Sequence, residues 1–152
     1  MKLTETINNE IKEAMKAKDT VKLTTLRSVK AALLEKEISI RQGGSAELTE
    51  EHEMQVLVGL AKKRKESIEQ FQNAGRTDLV EKEAAELAIL NLFLPQQLSE
   101  ADVRKRLQEI IAETGATSMK DIGKVMPTAM KEFKGRADGK IVQDTLKSLL
   151  GA

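Results

Sequence analysis

Residues 134–140 read KGRADGK, two glycines four apart with three cations and one acid, and of all the stretches in the chain this one comes nearest to a binding chemistry. Gly135 and Gly139-Lys140 invite comparison with the glycine-rich loop that cradles nucleotide phosphates on its backbone amides. Such a loop needs four residues between its glycines, a Ser or Thr after the Lys to reach magnesium, and a strand before it. Here three residues intervene, Ile141 follows the Lys, and the preceding pattern is helical, so that reading fails. What remains is a helix stop at Gly135, a cap at Asp138 and a new helix from Gly139. Free amides at that helix start, beside Lys134, Arg136 and Lys140, would suit one or two phosphates. The same residues read equally well as a capped turn with ordinary surface lysines.

Other chemistries are mostly excluded by residue type. His52 is the only histidine and there is no cysteine, so zinc sites, Cys-His pairs and Ser-His-Asp arrangements cannot be assembled within the chain. A di-iron bundle would want a Glu three residues before its ligand His, and position 49 is Thr. His52, in the first turn of an acidic helix end, reads as a surface residue. Most carboxylates stand four residues from a lysine, as on solvated helix faces, and no acid/base pair stands out. The run Lys62-Lys63-Arg64-Lys65 could grip phosphates, but Glu66 and Glu69 partly neutralise it and a solvated face is expected. Arg64 interrupts an apolar stripe of Leu57, Ala61, Ile68 and Phe71. Its stem should pack while its head reaches a carboxylate or water. Met119, Met126 and Met130 read as gap-filling in a small core. No metal or cofactor is expected.

The elements that must position these residues are helical throughout. Ala, Leu, Glu and Lys supply 70 of the 152 residues, Pro only 2, and no alternating strand pattern appears. Leu3, Ile7, Ile11, Ala14 and Met15 share one helix face, and Asp19 or Thr20 caps a second helix carrying Leu26, Val29 and Leu33. QGGSAEL, residues 42–48, reads as a mobile connection. Thr49 caps a long helix whose first turn holds Glu50, Glu51 and Glu53, and Gly75 stops it. Thr77 starts another, whose residues 87–94 are apolar almost all round and are expected to be buried on several sides before Pro95 ends it. LPQQLSEAD, residues 94–102, is the expected junction between an N-terminal helical domain, 1–95, and a small C-terminal helical domain, 96–152, restarted by Ser99 and Asp102. Beyond it come a helix ending at Gly115, a short one from Ser118, and a last pair around the KGRADGK turn.

Charge narrows the partners. The chain's net charge is +1, so the global field does not announce a nucleic-acid binder. Locally, residues 124–140 hold five basic groups against two acidic. With no Trp or Tyr to stack single-stranded bases, an RNA ligand would be met through backbone and folded shape. No apolar run reaches the ~18 residues of a membrane span. The polar start MKLTETINNE does not read as a secretory signal, and a cytoplasmic protein is expected.

The strings ESIEQFQNAGRTDLVEKEAAELAILNLFLPQQLSE and TGATSMKDIGKVMPTAMKEFKGRADGK resemble the GatB/YqeY family, over nearly the whole chain. Gly123-Lys124-Val125-Met126 and Lys134-Gly135-Arg136-Ala137-Asp138 are also similar to the tail domain of the GatB subunit of the aminoacyl-tRNA amidotransferase. The resemblance implies an all-helical fold in two domains and a tail that contacts the tRNA body. It implies ATP-dependent amide transfer only in a separate catalytic domain, which nothing here resembles, although family members are grouped with glutamine-dependent carbon-nitrogen ligases. It carries over Lys124, Gly135 and Arg136 as nucleic-acid-binding residues; Lys134 and Lys140 join them on electrostatic grounds. Where amidotransferase tails tend toward Asn-Pro, this chain has Asp138-Gly139. The expectation is a tRNA-binding accessory module without catalysis of its own. The alternative is a helical adaptor for synthetase or amidotransferase subunits, suggested by the apolar 87–94 segment and the C-terminal methionines.

Overall fold

The computed structural model describes residues 2–41 and 43–151, so Gln42 of the expected mobile connection lies outside the described residues. The described residues form seven α-helices and one 3-10 turn, with no strand among them, and they divide into two compact units, Met1–Leu94 and Pro95–Ala152.

The first unit holds α1 (Leu3–Ala17), α2 (Thr20–Ile40), α3 (Glu50–Asn73) and α4 (Thr77–Asn91). α1 ends without a glycine: Lys18 takes the left-handed conformation at φ 55°, and its N–H returns to the last turn. Asp19 then caps α2 by accepting the Lys22 N–H. Thr49 caps α3 reciprocally with His52: the Thr49 hydroxyl accepts the His52 N–H at 3.2 Å and His52 Nδ1 accepts the Thr49 N–H at 3.3 Å. The imidazole stands where a capping box carries Glu or Gln, which gives this half-buried ring a structural task. Ile7 and Ala14, Leu26, Val29 and Leu33, Leu57 and Ala61, and Leu90 bring residues from each helix into a shared core, joined by Leu94 just beyond α4.

Arg64 carries its charge into that packing. Nη1 donates to Glu83 Oε2 at 3.0 Å and lies 3.0 Å from Glu86 Oε2, the latter an ion pair without hydrogen-bond alignment. Glu86 is buried, and that guanidinium is the cation beside it. Expected burial on several sides fails for part of 87–94. α4 stops at Asn91, and the chain leaves through i→i+3 bonds from Leu92, Phe93 and Leu94 to Ile89, Leu90 and Asn91. Such bonding turns successive side chains by about 120°. Leu90 and Leu94 stay in the core while Leu92 is 71% exposed.

Gly59 sits in the interior of α3, where an added Cβ would meet no atom within 4 Å. The position opens on a groove between α2 and α3 of about 300 Å³. Nothing in the packing requires a glycine there, so Gly59→Ala is expected to stabilise the protein by about 0.8–1 kcal/mol through helix propensity alone. A denaturant midpoint that fails to rise would reveal a contact that only glycine permits.

The second unit holds α5 (Glu100–Thr114), the 3-10 turn Met119–Asp121, α6 (Ile122–Phe133) and α7 (Gly139–Gly151). Ser99 caps α5 through the Asp102 N–H, and Gly115 ends it at φ 70°. Each helix contributes residues three or four apart to one core: Val103, Leu107 and Ile110; Val125, Ala129 and Phe133; Val142, Leu146 and Leu150. α6 and α7 run antiparallel. A Cβ on Gly139 would lie 3.1 Å from Met130 Cε, and one on Gly151 would lie 3.6 Å from Met119 Cγ, so α7 starts beside the end of α6 and finishes beside its beginning.

Candidate nucleic-acid interface

The turn between α6 and α7 is built by Gly135, which takes φ 75°, a conformation that side chains with a Cβ rarely adopt. That lets the N–H groups of Arg136 and Ala137 both return to the Phe133 carbonyl, at 2.9 and 3.1 Å. The outer carbonyls of the turn are tied down from residues 95–98. Gln97 Nε2 donates to Gly135 O at 2.7 Å and to Pro95 O at 2.9 Å, and the Leu98 N–H donates to Arg136 O at 2.9 Å. Arg136 is drawn into the same strap, its Nε donating to Gln96 O at 3.3 Å.

The anion seat expected at the start of α7 is partly filled by the chain itself. Asp138 Oδ1 accepts the Lys140 N–H at 2.8 Å, and Asp138 O accepts the Val142 N–H. A carboxylate already sits against the positive helix end. Lys134 and Lys140 are exposed on either side of the turn, while Gly135 and Arg136 are half-buried. Lys124 is not at this corner. It lies in the first turn of α6, ten residues or about 15 Å along the axis from Lys134.

What joins Lys124 to the turn is a residue that the charge pattern of the sequence did not single out. Lys131 follows Lys124 by seven, only ~20° short of two full turns, and both are exposed, with Thr128 exposed between them. Lys120, also exposed, precedes them in the 3-10 turn. A row of ammonium groups therefore runs along the solvent side of α6, from Lys120 through Lys124 and Lys131 toward Lys134. Seven-residue spacing was the signal available; counting charge along the chain instead of around the helix hid it.

Most acids of this region are engaged away from the row, and Asp121 reaches it at Lys124. Glu132 Oε1 accepts from Arg106 Nε at 2.6 Å, and the same guanidinium holds Glu109 at 3.0 Å and Glu113 at 3.1 Å. These partners push the Arg106 guanidinium further above its already high range, Glu132 foremost. Asp138 is committed to its cap. Asp121 accepts the Thr117 N–H at 2.9 Å, the main reason its carboxyl is held below the usual range, and reaches Lys124 Nζ only at 3.8 Å. Since that pKa is depressed by folding, Asp121 fastens the 117–121 loop above the ordinary carboxylate range and releases it as pH falls through the depressed value. Lys124 keeps 74% of its side chain in solvent.

Residues 4–150 match the family described as Yqey-like protein. The chain is 33% identical over 109 residues to altered inheritance of mitochondria protein 41, mitochondrial, of Lachancea thermotolerans, covering 70% of this chain and 57% of that protein. Proteins of the same name are 31% identical over 136 residues in Saccharomyces cerevisiae, covering 88% and 69%, and 32% identical over 146 residues in Kluyveromyces lactis, covering 93% and 72%. The chain thus spans little more than half of the Lachancea relative's length. These names overturn the expected cytoplasmic placement, since the relatives are mitochondrial proteins. Composition and charge alone do not tell one compartment from another.

Proposed function

The chain belongs to the Yqey-like protein family, and from that membership we propose that it is a tRNA-associated accessory module, related to the tail of the glutamine-dependent aminoacyl-tRNA amidotransferase, that binds RNA without acting on it chemically. The observation that carries this reading is the exposed row Lys120, Lys124 and Lys131, continued by Lys134 and flanked by Lys140, with Glu132 and Asp138 engaged elsewhere. Phosphates spaced along a folded RNA backbone suit such a row, and the absence of Trp and Tyr disfavours base stacking. Gly135 sets the turn, and Arg136 contributes charge while anchoring the strap.

Binding of folded tRNA, followed by fluorescence anisotropy as salt is raised, tests it. Three phosphate contacts give a log-log slope of about −2.1 to −2.7, a loss of roughly 20- to 40-fold in affinity between 50 and 200 mM salt. Lys124→Ala with Lys131→Ala should flatten that slope by about 1.4–1.8. Equal slopes for wild type and variant would reject the assignment.

A further inference from the structure

The outer side of α2 carries a second apolar row. Leu26, Val29 and Leu33 are buried on its inner side, whereas Ala31, Leu34 and Ile38 are exposed on the other, Leu34 by 55% and Ile38 by 57%. Steps of three and four residues put them in one stripe, continued by Arg27 before and Arg41 after. A helix that covers one face keeps its opposite face polar, so this stripe is a surface built to be covered. The charges beside it are sorted by end, with Arg27 and Lys30 in the N-terminal half and Glu35 and Glu37 in the C-terminal half.

We infer that α2 pairs antiparallel with α2 of a second copy of this chain, Leu34 of each helix seated over Ala31 of the other. The small Ala31 admits the larger Leu34, and Ile38 covers the stem of the facing Arg27. In this arrangement the basic half of each helix meets the acidic half of its neighbour, whereas a parallel pair would set like charges together. Arg41, the cation in the acidic half, is paired within its own chain with Glu37 Oε1 at 3.4 Å, so Glu35 carries the net negative charge of that half. The surface is self-complementary about a two-fold axis, the commonest symmetry of soluble oligomers. It engages far fewer than the about 20–30 residues a side of a standard interface, so a micromolar dimer is expected.

Sedimentation equilibrium of the full chain, from micromolar to submillimolar concentration, should show a monomer–dimer equilibrium. Leu34→Glu with Ile38→Glu should abolish it while the helical circular dichroism stays unchanged, both positions being more than half exposed. The contribution of these charges to pairing is tested by two further chains, Arg27→Glu with Lys30→Glu, and Glu35→Lys with Glu37→Lys. Each alone should be monomeric, and their mixture should form a one-to-one heterodimer. A wild-type chain that stays monomeric throughout, self-association that survives Leu34→Glu with Ile38→Glu, or charge-reversed chains that do not recombine would each overturn the proposal.

Discussion

Phe133→Ala is expected to unfold the second unit while the first keeps its structure. Among the described residues Phe133 is the largest fully buried side chain, and it belongs to the core that α5, α6 and α7 share. Truncating a buried Phe costs about 3–5 kcal/mol, from lost transfer free energy and the cavity left behind. The unit runs only from 95 to 152, and a domain near 60 residues buries only about 60% of its unfolded surface. At about 0.05–0.15 kcal/mol per residue its whole stability is roughly 3–9 kcal/mol, so the loss takes most or all of it. Hydrogen exchange should show amides of α5–α7 losing protection while those of α2 and α3 retain theirs. Retained protection in α5–α7 would contradict the core described for this unit. Collapse of α2 and α3 together with α5–α7 would contradict two separate cores.

Arg64→Met is the second large effect. It removes the cation beside Glu86 and Glu83 and leaves the buried Glu86 carboxylate without compensation. Breaking a buried pair from one side costs about 3–5 kcal/mol. Here the guanidinium keeps 27% of its side chain exposed, and a loss of about 3 kcal/mol is expected, at the low end of that range. Adding Glu86→Met to Arg64→Met should recover most of it, because a methionine pair of similar volume leaves no buried charge. Chemical denaturation of the single and double variants measures both steps. A single variant as stable as wild type would mean that Glu86 finds another partner or water.

Helix positions were open to reading wherever a local rule sets them. Asp19, Thr49 and Ser99 stand at N-caps with their side chains bonded to the first turn, and Gly115 ends its helix in the left-handed conformation, because caps act over three or four residues. Arg64 was legible in the same way: a cation inside an apolar stripe must reach an acid, and it reaches Glu83 and Glu86. Features set by tertiary choice were not. Lys18 ends α1 with a residue that rarely accepts φ > 0, which no composition rule marks. Leu92 looks like core in a linear run and is turned outward by the tight exit from α4. Nor does sequence proximity to Lys134 tell where Lys124 stands, since a helix lies between them. One of the carbonyls that Gln97 holds is 38 residues away at Gly135, too far for any local rule.

The strap across the Gly135 turn decides where the second unit can be cut free. Residues 95–98 precede α5 and pack as an irregular segment, yet they supply the donors for the Gly135 and Arg136 carbonyls and an acceptor for the Arg136 guanidinium. A fragment trimmed neatly to the first helical residue, Glu100, would leave both carbonyls to water and the hinge between α6 and α7 unbraced. An excised tail therefore has to begin at or before Pro95.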